Sequence, residues 1–154
     1  MNILGLLKAL HVFGVVVFMG NMIVTAVWKG RADRQDDLLV LQYAQRLVTF
    51  TDLVFTSTGA FLVAVTGILL AFRLDAWDQR WIMEGLGVFV LSGVIWAIVL
   101  IPIQNKQRAL LSSLGEGEDI PAEYSRLAKR WMIWGVIAIV LPLHALITMI
   151  IKPN

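Results

Sequence analysis

The stretch from Leu4 to Trp28, LGLLKALHVFGVVVFMGNMIVTAVW, constrains this chain more than any other. It is long enough to cross a bilayer, for which a helix needs about 20 apolar residues. Yet His11, Asn21 and Thr25 interrupt it, and they fall with Gly14, Phe18 and Trp28 at spacings of three and four, on one face of a helix. A face that polar is disfavoured against lipid, so it must look toward protein, water or a cofactor. The rest of the chain reads as the enclosure for that face.

Further apolar blocks of similar length follow. Only 16% of the residues are charged, against about 25% in ordinary soluble domains, and the mean hydropathy is +0.77. Residues 1–154 therefore read as a single integral membrane domain, all-α. The net charge of +2 does not point to nucleic acid, because basic residues flanking membrane spans account for it. The absence of cysteine excludes disulfides, thiol chemistry and thiolate metal sites. The first block has no basic leader and no small-x-small cleavage site, so it is expected to stay in the mature protein rather than act as a signal peptide.

Four spans are expected, about 4–28, 48–72, 81–103 and 131–151. The second helix should begin near Asp36, whose carboxylate and that of Asp37 suit the positive end of a helix dipole. The second and fourth helices should extend beyond the membrane, through Leu38 to Arg46 and Glu123 to Arg130. Within the second span Asp52, Thr56, Gly59, Val63, Thr66 and Gly67 recur at helical spacing, a small-residue face suited to close helix packing. Pro102 leaves the carbonyl of Ile98 without its usual donor, which predicts a small kink. The longest connection is expected from Gln104 to Arg130, with a turn between Gly115 and Pro121. Short to moderate connections make an antiparallel up-down four-helix bundle the default, with the first and last helices adjacent.

The basic residues set an orientation. Lys29, Arg31, Arg34, Arg46, Lys106, Arg108, Arg126, Lys129 and Arg130 lie on one side, whereas Lys8, Arg73, Arg80 and Lys152 lie on the other. The first set is expected to face the cytoplasm of a bacterial inner membrane, leaving both termini outside.

Several short pieces together resemble a bacterial family of predicted integral membrane proteins whose domain has no assigned function. They are Leu7-Lys8-Ala9-Leu10-His11-Val12 with Gly20, the run from Asp52 to Gly59 with Thr66-Gly67, Pro102-Ile103-Gln104, Pro121-Ala122-Glu123-Tyr124, Arg130-Trp131 and Lys152-Pro153. The resemblance spans essentially the whole chain and implies the four-helix architecture without an activity. Lys8-Ala9-x-His11 is also similar to the opening of the membrane protoporphyrinogen oxidase of haem synthesis and of the membrane domain of copper-resistance protein D. The first of these implies a haem-linked role for His11. The oxidase activity itself does not carry over, because Phe18 stands where that pattern has tryptophan and no buried lysine follows in a later span.

Both histidines, His11 and His144, fall inside expected spans. Each lies seven residues from the end of its span on the same side, or roughly 10 Å deep at 1.5 Å per residue. That match suggests a b-type haem held between the first and last helices by His11 and His144, as haem or metal ligands. Gly14 would leave room for the porphyrin edge, and Thr148 would orient the His144 ring. Two other readings stay open: a non-catalytic accessory subunit packed against a larger membrane complex or a second copy, and copper handling. Asp52 reads as a polar contact or an ion pair with Arg46 or Arg130, with a proton-relay role as the alternative. Whether the chain is an enzyme is left open by its residues.

A reporter fused at the C-terminus tests the orientation. It is expected to signal a non-cytoplasmic end, and a cytoplasmic signal would reverse the assignment.

Overall fold

The computed structural model describes residues 2–115 and 117–152. Four long helices carry the chain: α1 (Ile3–Ala32), α2 (Leu38–Arg73), α3 (Arg80–Ser112) and α4 (Ala122–Ile151). Among the described residues there is no strand. Each helix contains an apolar stretch long enough to cross a membrane, with mean hydropathy between 2.1 and 2.6. At 1.5 Å per residue all four exceed the roughly 30 Å hydrocarbon layer, so they project beyond it. The ends of α1 and α3 and the starts of α2 and α4 form the basic side. The other ends define the terminal side.

Side-chain caps fix the starts of α1 and α2. The Asn2 side chain accepts the Leu4 N–H, and the Asp37 side chain accepts those of Leu39 and Val40. Asp36 turns the chain just before that cap, with φ 48°, a conformation Asp tolerates better than most residues. The four-helix expectation holds, with one correction. α3 does not end near Ile103 but continues to Ser112, so the connection to α4 is much shorter than Gln104 to Arg130. The extension is held because its buried residues, Ile103, Gln104, Gln107 and Leu111, form one face against α2 and α4. Glu116 in the expected turn, and Pro153 with Asn154, lie outside the described residues.

Two helices widen locally into π-helical turns. The one in α3, Trp96–Leu100, immediately precedes Pro102, where the missing N–H removes a donor from the α-helical ladder. The other, Asp52–Ser57 in α2, has no proline to explain it.

The most extensive contacts join α1 to the terminal half of α2, and α3 to α4. Glycines permit the first pairing. Gly59 faces the backbone of Phe18, where an added methyl would lie 2.8 Å from the Phe18 nitrogen; Gly14 sits against Val63 and the Gly59 carbonyl. In the second pairing the Ser92 hydroxyl donates to the Ala138 carbonyl at 2.7 Å. On the basic side the pairs close together around Val48, Leu100, Ile103, Leu127 and Trp131, with a smaller cluster of Leu41, Leu111 and Tyr124 beyond. In the terminal half a cavity of about 480 Å³ lies between them. Val16, Val24, Phe61 and Ile98 point outward, as lipid-facing residues do.

Replacing Gly59 with alanine should destabilise the protein by about 1–3 kcal/mol through overpacking against the Phe18 backbone. Gly20→Ala, where a methyl meets nothing within 4 Å, should stay within about 1 kcal/mol of the parent. Unfolding in mixed micelles compares the two, and equal effects would contradict the α1–α2 packing.

Candidate functional site

The polar stripe of α1 is satisfied by α2. Gly14 and Thr25 are buried, and His11 and Asn21 are half-buried. On the terminal side His11 Nδ1 lies 3.0 Å from Thr66 Oγ1, and Thr66 Oγ1 lies 2.5 Å from the Leu62 carbonyl. The hydroxyl has one proton, and the carbonyl can only accept, so Nδ1–H donates to Thr66. The Nε2 lone pair is thereby left free, with no hydrogen bond among the described residues. Gly67 makes room for the ring, since a methyl there would come 3.1 Å from His11 Cε1.

His11 lines the terminal-side cavity, whose wall is otherwise largely apolar: Val15, Phe18, Met19, Val63, Phe89, Ala145, Leu146 and Met149 among others. Its polar groups are Lys8, Trp77, Trp81 and Lys152, besides His11. The Lys152 ammonium lies over the Trp81 ring at 5.5 Å, and the buried Trp77 Nε1–H has no partner. Val12, Val16 and Ile150 line the cavity and are also exposed on the outer surface, so it opens sideways toward lipid.

The other residues singled out in the sequence fall elsewhere. His144 sits on the exposed face of α4 and is not among the cavity residues. Thr148 donates to the His144 carbonyl at 2.9 Å, within its own helix, rather than accepting from the ring. Gly14 is closed over by α2 and offers no free edge. The structure therefore does not bring His11, His144, Gly14 and Thr148 together around one ligand. The reason is rotational: Ala145 and Pro142 face inward, and at 100° per residue His144 is carried off that face. Among the described residues no group of three or more His, Cys, Asp or Glu side chains is placed to hold a metal ion.

A second polar cluster lies nearer the basic side. Asn21 Nδ2 donates to Thr56 Oγ1 at 2.8 Å and to the Thr51 carbonyl at 3.2 Å, and Thr25 donates to Asn21 Oδ1. Thr56 in turn donates to Asp52 Oδ1, and Gln104 Nε2 donates to Asp52 Oδ2 at 2.9 Å. The ion pair of Asp52 with Arg46 or Arg130 does not form; both arginines are exposed, and the carboxylate is held by neutral donors. A small cavity of about 30 Å³ adjoins it, lined by Thr25, Asp52, Thr56, Trp96, Gln104 and Trp131 among others.

Beyond the apolar spans, on the basic side, the Lys29 ammonium is fully buried and paired with Asp33 at 2.6 Å. Tyr124 donates to Asp33 at 2.6 Å, Gln45 donates to Tyr124, and Lys29 lies over the Trp131 ring at 5.0 Å. Burial lowers the pKa of Lys29, opposed by the Asp33 charge. Burial, followed by the bond to Asp33, raises that of Tyr124. By its position Lys29 counts among the basic residues that set the orientation, and its burial is the new feature. The signal for its burial was its place four residues from Thr25 on the polar stripe, with Asp33 four residues further on.

Comparison with known proteins adds one finding. The family model described as "predicted integral membrane protein (DUF2269)" matches residues 5–153. No curated protein and no solved structure matches the chain.

Proposed function

The chain belongs to the DUF2269 family of predicted integral membrane proteins, and we propose that it binds a membrane-soluble ligand with an apolar body and an anionic or hydrogen-bond-accepting end. The observation that carries this reading is the terminal-side cavity, with its apolar wall and its fringe of donors: the Lys8 and Lys152 ammonium groups and the unpartnered Trp77 N–H. At about 480 Å³ it falls within the roughly 300–1,000 Å³ typical of ligand sites. Because it opens sideways, an occupant can enter from the lipid phase. With the basic side in the cytoplasm of a bacterial inner membrane, the cavity opens into the outer leaflet.

A b-type haem shares this chemistry, with an apolar macrocycle, two propionates and an iron that takes an imidazole. His11 would be its one protein ligand, because Nε2 is free and the Thr66 contact fixes the ring, while His144 lies outside the cavity. Bound there, haem would supply electron-transfer chemistry.

Purified protein in lipid nanodiscs tests the proposal. Brominated oleate should quench tryptophan fluorescence saturably, through Trp77 and Trp81. Ala145→Phe, which fills the cavity, should abolish the saturable part without loss of helicity. The Lys8→Met/Lys152→Met pair should weaken binding by a few-fold per charge, as for exposed ion pairs of about 0.2–1 kcal/mol. Equal saturable quenching in wild type and Ala145→Phe would contradict the site. Reduced-minus-oxidised bands lost in His11→Ala and kept in His144→Ala would identify the occupant as haem.

A further inference from the structure

We propose that Asp52 is a proton-binding site inside the membrane, reached by water from the basic side and closed off from the terminal side. It lies six residues beyond Arg46 along α2, roughly 9 Å at 1.5 Å per residue, within the membrane-crossing part. Among the described residues no cation pairs with it from the helices packed around it. On α1 its neighbours are the Asn21 and Thr25 layer, and Lys29 is engaged by Asp33. Arg46 of α2, Lys106 and Arg108 of α3, and Arg130 of α4 are all exposed. Asp52 is half-buried in the bundle with no opposite charge beside it; an ionisable group so placed within a membrane is a candidate functional group, and proton relays are a frequent use.

The surroundings select a proton and water over a metal ion. The small cavity beside Asp52 holds about 30 Å³, room for a water molecule. Trp96 and Trp131 line it; the Trp96 indole N–H is turned toward the Asp52 carboxylate, and that of Trp131, a residue only 5% exposed, is buried without a partner among the described residues. An N–H needs an acceptor, which a metal cation is not and a water oxygen is. A water accepting from an indole can donate to the carboxylate, and it accepts the acid proton once Asp52 is protonated. Asp52 begins one π-helical turn and Trp96 begins the other, and such turns often occur at functional sites.

The route outward is marked by polar atoms that lack protein partners. Gln42 bonds the Leu111 carbonyl and Gln104 bonds Asp52, so the antiparallel register of α2 and α3 places Gln107 between these two levels. Gln107 is fully buried, and neither its amide nitrogen nor its amide oxygen has a partner; Gln45 Oε1 is also unpartnered. Such groups call for water. Gln45 then joins Tyr124 and Asp33, whose side chain reaches solvent at 10% exposure. In the other direction Phe18 closes the way, buried against Gly59 and edge-on to Phe89 with ring centroids 5.8 Å apart. Binding transfers one proton from water on the basic side to the carboxylate, and release returns it there.

Infrared spectra of the full chain in nanodiscs, recorded across pH and after transfer to heavy water, test the proposal. Wild type should show a protonated-carboxyl band that titrates, and Asp52→Asn should lose it. Asp52→Glu, which keeps the acid, should shift its frequency, and this variant decides the assignment if the asparagine protein does not fold. Gln107→Leu should keep the band and slow its hydrogen–deuterium exchange at least tenfold. A band unchanged in both Asp52 variants would overturn the site. Exchange in Gln107→Leu as fast as in wild type would overturn the route.

Discussion

Asn21 makes two hydrogen bonds to α2 in a layer where lipid offers no partner, and the arrangement of the bundle follows from that constraint. A buried amide left unpaired costs several kcal/mol in hydrocarbon, so α1 must present its stripe to polar groups on a neighbour. Once Asn21 is tied to Thr51 and Thr56, the antiparallel register brings His11 level with Thr66, and Gly14 and Phe18 level with Val63 and Gly59. The glycines let the backbones approach closely enough for these bonds to form. Polar pairing and small-residue packing thus specify the same interface, which is what gives a membrane bundle one structure rather than several.

The two halves of the molecule then differ. On the basic side the helix pairs converge on an apolar core that carries two separate polar groups, one around Lys29 and Asp33 and one around Asp52. On the terminal side the core gives way to a cavity with an apolar wall. The closed half holds a carboxylate and suits a small polar occupant, a proton with water. The open half has a free imidazole nitrogen and a cationic rim and suits an amphiphile. Phe18, packed on Gly59, is the partition between them.

Much of this was legible in the sequence, because helical spacing is a local signal. The four spans, the inward stripe of α1 and the small-residue face of α2 could all be read from residues three and four apart. The extension of α3 was missed because Gln104 to Ser112 is mostly polar, and only its one face of Ile103, Gln107 and Leu111 betrays the helix. What makes His11 and His144 look like a pair in the sequence is chiefly their common depth. Depth fixes one coordinate of a helical residue, and the angle around the axis, which carries His144 outward, is the other. The cavity and the Asp52–Gln104 contact depend on how two helix pairs lean together. No residue spacing within one helix reports that.

The most direct test of this account is a double-mutant cycle between Asn21→Leu and Thr56→Val, measured as unfolding free energy in mixed micelles. This interface predicts a coupling of about 0.6 kcal/mol or more, about 0.6 being the average and about 1.7 the maximum for hydrogen bonds between membrane helices. His11→Leu combined with Thr56→Val, residues that do not touch, should be additive. Additivity in the Asn21–Thr56 cycle, within about 0.3 kcal/mol, would show that α1 does not dock on α2 in this register.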